Sequence, residues 1–171
     1  MLGRFSVPAH LLTFQIGFTP SQFRFHHRGD SVQNVLVLED DASTMALIRL
    51  VIGQNGYNIL EATTAGQAFE RFEENDAQVD LLIAEVTLPA SSGIHVALEL
   101  QSLLPYLKII IMPGHESAMW SDQDSAEFEE LPSDSVIKLQ KPFASATLLD
   151  SVHRFLGLSS CVAPARQMKA A

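Results

Sequence analysis

Charged side chains follow three of the short apolar runs in this sequence, and their types are those used in phosphoryl chemistry. The residues concerned are Glu39, Asp40 and Asp41 after the first run, Glu85 after a later run, and Lys141 near the last. Carboxylates that lie close together repel one another, so they need a proton, an ammonium group or a metal ion as compensation. The set therefore predicts a cluster of ionic groups, provided that the fold brings the three runs together.

Each residue type in this set has a use in phosphoryl transfer. Mg²⁺ accepts one or two carboxylates and keeps positions for water and phosphate oxygens. The ammonium group of a lysine such as Lys141 is a point charge for a phosphoryl oxygen. A carboxylate such as Glu85 can act as a nucleophile and accept the phosphoryl group. Mg²⁺, bound weakly or not at all, is thus the one cofactor that these residues suggest.

Alternating strand and helix patterns are expected to bring these residues to one edge of a sheet. Candidate buried strands lie at residues 35–38, 57–60, 81–84, 107–112 and 136–139. Between them, apolar residues recur at helical spacing, as at Met45, Ile48 and Ile52. This alternation predicts an α/β fold with a parallel five-stranded sheet in the order 2-1-3-4-5 and helices on both faces. Ligands of such sheets bind beyond the carboxyl ends of strands 1 and 3.

One segment fits this scheme poorly. Residues 114–135 contain seven acidic residues and no lysine or arginine, and Trp120, Phe128 and Leu131 follow no firm period. An alternating fold needs a helix here, but the pattern supports it weakly. A solvated loop is the favoured interpretation of the acidic residues, and a docking surface for a basic partner is the alternative.

Length and charge indicate one domain with two extensions. The 171 residues are divided into an N-terminal extension at 1–32, expected to be flexible, a domain at 33–158 and a tail at 159–171. Residues 31–160 hold six basic and nineteen acidic residues, a balance of −13. Such an acidic body argues against nonspecific binding to nucleic acid. Apolar patches in residues 7–18 leave open the alternative that this part of the extension docks on the domain.

The sequence also indicates a cytoplasmic protein without a membrane anchor. Cys161 is the only cysteine, so no internal disulfide is possible and a reducing compartment is the simplest interpretation. No apolar run reaches the roughly 18–20 residues that span a bilayer. We therefore expect neither a membrane nor a nucleic acid as partner.

Three segments, in order, resemble the receiver domain of bacterial response regulators. They are VLVLEDD at residues 35–41, DLLIAEVTLPASSG at 80–93 and KLQKPF at 138–143, and the resemblance covers about residues 33–157. It implies a flavodoxin-like, doubly wound fold and a signalling module, not an enzyme. It also implies partners in a two-component pathway: a histidine kinase, a phosphotransfer protein or a downstream target.

Carried over residue by residue, the resemblance assigns roles to the residues that match the family's pattern. Glu39 and Asp40 fall at the acidic pair that holds Mg²⁺, and Lys141 at the lysine that contacts the phosphoryl group.

Three other positions depart from that pattern. Glu85 stands at the phosphoacceptor position, where the family has aspartate. Pro113 stands where the family has a threonine or serine, and Lys138 where it usually has an aromatic switch residue. Glutamate is longer by one methylene, and proline has no hydroxyl with which to hold a phosphoryl oxygen. The departures therefore affect the acceptor and the switch.

The leading hypothesis is a stand-alone, degenerate receiver that acts by protein–protein contacts and is not switched by conventional phosphorylation. Its pocket would contain an ion pair between Glu85 and Lys141. One alternative is a working phosphorelay receiver that accepts a phosphoryl group at an atypical site. The least favoured is a small Mg²⁺-dependent phosphatase-like enzyme, because Thr87 stands where a general acid/base carboxylate would be needed.

Overall fold

In the computed structural model, the described residues, 32–114 and 120–157, form five parallel strands flanked by helices and one small hairpin. The strands of the main sheet are β1 (Asn34–Leu38), β2 (Asn58–Ala62), β3 (Leu81–Glu85), β6 (Lys108–Met112) and β7 (Val136–Lys138). The hairpin consists of β4 (Thr87–Leu88) and β5 (Ser91–Ser92). The helices are α1 (Ala42–Gln54), α2 (Ala65–Glu74), α3 (Gly93–Leu103), α4 (Asp122–Glu130) and α5 (Ser145–Leu156).

The main sheet is buried on both faces, which explains the continuous apolar runs of its strands. Its order is β2-β1-β3-β6-β7, and all neighbouring pairs are parallel. All five residues of β3 are buried. One core cluster joins the sheet to α2, α3 and the end of α4, and a second joins it to α1 and α5. A strand covered by helices on both sides has no polar face, so period-two alternation is absent.

Local signals set the ends of the first helix, which begins directly after β1. The Asp41 side chain accepts a hydrogen bond of 2.7 Å from the N–H of Thr44 and so caps α1. Asn55 ends the helix, and Gly56 follows with φ 84°, the left-handed conformation that glycine adopts at low cost. These caps place the start of α1 immediately beside the carboxyl end of β1.

The predicted fold is confirmed, with two additions. The order 2-1-3-4-5 corresponds to β2-β1-β3-β6-β7, because the hairpin adds two short strands between β3 and α3. The weakly supported helix exists as α4, which has no fully buried residue. Its N-terminus is capped by Ser121, whose hydroxyl accepts from the N–H of Asp124 at 2.9 Å, and Trp120 and Phe128 pack against the core.

The predicted division of the chain at residues 32 and 158 stays a prediction. The N-terminal extension up to residue 31 and the tail from residue 158 lie outside the described residues. Among the helices that the structure describes, none has the length and apolar character needed to cross a membrane.

Candidate functional site

The three charged segments meet at the carboxyl edge of the main sheet. β1 and β3 are adjacent, with Leu38 opposite Ala84, so Glu39 and Glu85 extend from neighbouring strands. The loop after β7 is tied to the end of β6 by a 3.0 Å hydrogen bond from the Lys141 N–H to the Pro113 carbonyl. Parallel packing therefore brings residues far apart in the chain to one place.

Lys141 lies between Glu39 and Glu85 and bonds to both carboxylates. Its Nζ donates to Glu39 Oε2 at 2.6 Å and to Glu85 Oε2. The side chain of Glu39 is 1% exposed and that of Glu85 is 8% exposed, whereas that of Lys141 is 19% exposed. The pocket thus contains an internal ion cluster that is largely removed from water.

The remaining oxygen of each carboxylate is held by the backbone. Glu39 Oε1 accepts from the N–H of Asp41 at 3.1 Å, and Glu85 Oε1 accepts from the N–H of Thr87 at 3.2 Å. Both carboxylates therefore have partners at both oxygens and are fixed in orientation. This satisfies the acceptors that burial would otherwise leave unpaired.

Two glutamates share one lysine, and burial and hydrogen bonding together determine the pKa directions of Glu39 and Lys141. Burial raises the pKa of Glu39 above its ordinary value, and the hydrogen bonds from Lys141 and from the Asp41 N–H offset that effect only in part. Burial disfavours the ammonium of Lys141, but its hydrogen bonds to Glu39 and Glu85 outweigh burial and raise its pKa. The fully ionised cluster carries a net charge of −1, from two carboxylates and one ammonium.

The Glu39→Gln variant should therefore lose the part of the pH dependence of stability that comes from the ionisation of Glu39. Because the pKa of folded Glu39 is raised, its ionisation costs stability as pH rises from 4.5 through the folded-state pKa. We expect the variant to be as stable as wild type near pH 4.5 and at least as stable at pH 7, because the neutral amide leaves Lys141 paired with Glu85. Denaturant unfolding at several pH values measures this difference.

Glu61→Gln is the matched control with the opposite sign. The side-chain hydrogen bond from Arg49, 2.6 Å from Nη2 to Oε2, lowers the pKa of Glu61. The control should be less stable than wild type above pH 4.5 and should approach wild type as pH falls. A Glu39→Gln variant that behaves like this control would contradict the direction assigned to Glu39.

The acidic residues after β1 do not form a single group. Asp40 is exposed, and Asp41 caps α1. The donor set has the oxygen chemistry that Mg²⁺ prefers, but the Glu39 carboxylate is engaged by Lys141 and by a backbone N–H. No cluster of three metal-binding side chains occurs among residues 32–114 and 120–157. The arrangement therefore fits Mg²⁺ only if the cation displaces the Lys141 ammonium from Glu39.

Gly93, at the start of α3, lies directly against the backbone of Glu85. A Cβ built on Gly93 would overlap the Glu85 carbonyl oxygen and would lie 3.2 Å from the Cβ of Ala84. The Gly93 N–H also donates to the Val86 carbonyl at 3.0 Å. In the sequence, Gly93 stands out only as the last residue of the matched segment at 80–93. The absence of a side chain here allows the hairpin to bring α3 against the strand that carries Glu85.

Pro113 and Lys138, the two other positions that depart from the family's pattern, differ in burial. Pro113 is buried, and its carbonyl accepts from the Lys141 N–H and from Gln140 Nε2, each at 3.0 Å. Lys138 is exposed, and its Nζ lies 4.1 Å from the ring centre of Phe128 and 4.6 Å from that of Trp120. An ammonium over two aromatic faces is attracted by the rings. Lys138 therefore links β7 to α4.

Sequence reasoning missed this contact between Lys138 and the two rings. Trp120 and Phe128 are eight residues apart, and neither follows an apolar period, so their partner could not be inferred from spacing. The rings pack edge to face with centres 5.4 Å apart. The one available signal was the presence of two large aromatic residues in an otherwise acidic segment.

Comparison with known proteins identifies the family. The response regulator receiver domain family matches residues 35–153. The sensor kinase CckA of Brucella abortus is 29% identical over 123 residues, which cover 71% of this chain and 12% of CckA. The response regulator receiver protein CpdR of the same species is 24% identical and is covered over 98% of its length. PhoP of Bacillus subtilis is 25% identical, with 54% of its length covered, so large parts of CckA and PhoP lie outside the similarity.

Solved structures agree with this assignment. A response regulator receiver protein from Sinorhizobium medicae superposes with a TM-score of 0.63 at 21% identity, covering 75% of this chain and 97% of its own. TrrA from Thermotoga maritima, crystallised with Mg²⁺ and BeF, gives 0.59 at 25% identity, covering 73% of this chain and all of its own. The matched family and the strand order agree, and the chain belongs to the response regulator receiver domain family.

Proposed function

We propose that this chain is a receiver-like module of two-component signalling that acts through protein contacts and is not switched by conventional phosphorylation. Its partners would be a histidine kinase, a phosphotransfer protein or a downstream target. The relatives named sensor kinase and response regulator support this class of partner. The observation that carries the proposal is the internal ion cluster of Glu39, Lys141 and Glu85.

Within the cluster, the carboxylates of Glu39 and Glu85 compensate the charge of the Lys141 ammonium, as a bound phosphoryl group would otherwise do. Lys141 is already compensated by two carboxylates, so a phosphoryl group would have to compete for it with Glu39 and Glu85. The side chain of Glu85 is longer than that of an aspartate by one methylene, which moves its carboxylate by roughly 1.5 Å. A displacement of a reacting group by about 1 Å can lower the rate by two orders of magnitude. Attack by Glu85 on a phosphodonor is therefore disfavoured by both position and charge.

The positions that would transmit a signal support the same conclusion. Pro113 offers no hydroxyl to a phosphoryl oxygen, and its carbonyl already binds the Lys141 backbone. Lys138 lies over Trp120 and Phe128, which keeps its charge outside the core. Moving an ammonium into a buried site without a partner costs several kcal/mol. We therefore propose that β7 and α4 keep one arrangement.

Mg²⁺ would bind weakly or not at all to this form of the site. TrrA was crystallised with Mg²⁺ and BeF, and Glu39 with Asp40 would supply carboxylate oxygens for such a cation here. The competing ammonium of Lys141 lies 2.6 Å from Glu39 Oε2. When bound, Mg²⁺ would neutralise the carboxylates and orient phosphate oxygens. The chain's own residues hold Glu39 in place through Lys141 and the Asp41 N–H.

Restoring the acceptor alone should restore labelling without restoring the switch. Glu85→Asp places a shorter carboxylate beside Lys141, so a small phosphodonor with Mg²⁺ is expected to label it. A shift from 1:99 to 99:1 between two states requires about 5.5 kcal/mol, and a hydrogen bond to a charged group contributes roughly 1.5–3 kcal/mol. Pro113 cannot make that bond. Hydrogen exchange over β6, α4 and β7 should therefore be the same in labelled and unlabelled Glu85→Asp.

Adding the hydroxyl provides the control for this experiment. Glu85→Asp combined with Pro113→Thr should show a partial change in exchange on labelling, because one bond to the phosphoryl group is restored. If labelled Glu85→Asp alone changes protection across β6, α4 and β7, the remaining residues transmit a signal and the proposal is wrong.

A further inference from the structure

The outer face of α1 is apolar and almost uncharged. Its exposed residues include Ala46, Leu50 and Gly53, and Leu50 is 56% exposed. They line an open depression of about 520 Å³ together with Arg49 and Gln54. Arg49 is the only charged residue of the helix, and it is paired with Glu61. A surface helix normally presents a polar face to water, so this face has the character of a contact surface.

The surface helices α2 and α4 provide a comparison. The outer side of α2 carries Glu70, Glu73 and Glu74, all exposed, and α4 presents exposed acidic residues along its length. The exposed positions of α1 carry a single charge, on the paired Arg49, and the others are Ala42, Ser43, Ala46, Leu50, Gly53 and Gln54. Of these three helices, α1 therefore has the face best suited to an apolar contact.

The chain enters the described part of the structure beside the end of this helix. Val32 is 55% exposed. The next residue, Gln33, accepts a backbone hydrogen bond from the Asn58 N–H just beyond the turn after α1, and its side chain donates to the Leu156 carbonyl at the end of α5. The residues before Val32 therefore start from the same end of the sheet as the last turn of α1.

The sequence before Val32 contains a segment suited to an apolar face. Residues 12–18 read LTFQIGF, with Leu12, Phe14, Ile16 and Phe18 alternating with polar or small residues. Strict alternation over seven residues is typical of an extended segment with one buried face. The four apolar side chains would extend over roughly 20 Å, about the length of the 13-residue helix α1.

Size and charge are also complementary. Ala46 and Gly53, on either side of Leu50 on α1, are small and exposed, so they leave room for larger side chains beside Leu50. Residues 12–18 carry no charge, which suits the uncharged face. Residues 1–30 have a balance of +2, from three arginines and one aspartate, whereas residues 31–160 have a balance of −13. Opposite net charges attract, which favours contact between the segment and the domain.

We propose that residues 12–18 of this chain dock along the outer face of α1, with their apolar side chains over Ala46, Leu50 and Gly53. The connecting residues 19–31 can extend over roughly 40 Å, so they reach any point on α1. A short tether gives an effective concentration in the millimolar range. A second copy at micromolar concentration is about a thousandfold more dilute, which favours the chain's own segment as the occupant.

Equilibrium disulfide formation in the full-length protein tests this docking. In a Cys161→Ser background, Ile16→Cys combined with Leu50→Cys places two thiols across the proposed contact. Gln15→Cys combined with Leu50→Cys is the matched control, because residue 15 faces away in an alternating segment. In a glutathione redox buffer, the 16–50 disulfide should be favoured at least about fivefold over the 15–50 disulfide. Adding Phe14→Ser and Phe18→Ser should abolish that preference.

Each other outcome overturns the proposal. Equal formation of the two disulfides would mean that the segment samples the helix without docking on it. A preference that survives Phe14→Ser with Phe18→Ser would mean that the apolar row does not carry the contact. Intermolecular disulfides that dominate and increase with protein concentration would mean that a second copy covers α1.

Discussion

Replacing Lys141 with methionine should lower the free energy of unfolding by about 3–5 kcal/mol at pH 7, the range typical when one partner of a buried ion pair is removed. The variant leaves the carboxyl groups of Glu39 and Glu85 buried and close together, with no ammonium between them. The raised pKa of Lys141 means that its contribution is fully present below pH 10.5 and is lost only as pH rises through its folded-state pKa. Below pH 8 the pH dependence of the loss is thus set by the carboxylates.

The loss should shrink as the pH falls toward 4.5, the ordinary pKa of Glu39, and below it, because protonated carboxyl groups need no compensating charge. Lys138→Met is the matched control, since it removes an exposed lysine whose contact with two rings contributes about 1 kcal/mol. Denaturant unfolding of both variants from pH 4 to pH 8 measures the difference. A Lys141→Met protein whose stability matches wild type throughout this range would rule out the ion cluster.

Replacing Gly93 with alanine should destabilise the fold by at least about 3 kcal/mol, at the upper end of the cost of overpacking. The added Cβ would overlap the Glu85 carbonyl oxygen, which belongs to the backbone and cannot rotate away. Either α3 or the end of β3 must move, and a movement of β3 would also displace the Glu85 carboxylate from Lys141. Thermal unfolding and the chemical shifts of residues near Glu85 report the two effects.

Gly53→Ala makes the same substitution where there is space. Among residues 32–114 and 120–157, its Cβ would meet only the Ile59 side chain, at 3.7 Å, and the residue lies inside α1. Alanine is favoured over glycine in a helix by roughly 0.5–1 kcal/mol, so this control should be more stable than wild type. If Gly93→Ala were tolerated as well as Gly53→Ala, the close approach of α3 to β3 would be wrong.

Much of the fold could be predicted because its signals are local. Short apolar runs bounded by helical patterns specify buried parallel strands, and the rule for such sheets then brings Glu39, Glu85 and Lys141 to one edge. The end of α1 could also be predicted, from Asn55 with Gly56, because these residue types accept the backbone of a helix C-cap. These features depend on residue type and spacing over a few positions.

The remaining features depend on contacts between distant residues. The helix α4 has no apolar period of its own, and it is positioned by Trp120 and Phe128 against the core and by the ammonium of Lys138. The strands of the small hairpin are only two residues long, too short to show a period. The distinction between Glu39, which is buried, and Asp40, which is exposed, follows from the direction of the chain as it leaves β1.

Intact-mass analysis after incubation with Mg²⁺ and a small phosphodonor such as acetyl phosphate tests the central claim most directly. We expect no mass increase of one phosphoryl group in the wild-type protein, because Glu85 is long and paired with Lys141. The Glu85→Asp variant, treated in the same way, should be labelled. It is the positive control, because its labelling shows that the donor can reach the site. A Mg²⁺-dependent increase in wild type that is absent from Glu85→Gln, or consumption of the donor without labelling, would contradict the account of a receiver that phosphorylation does not switch.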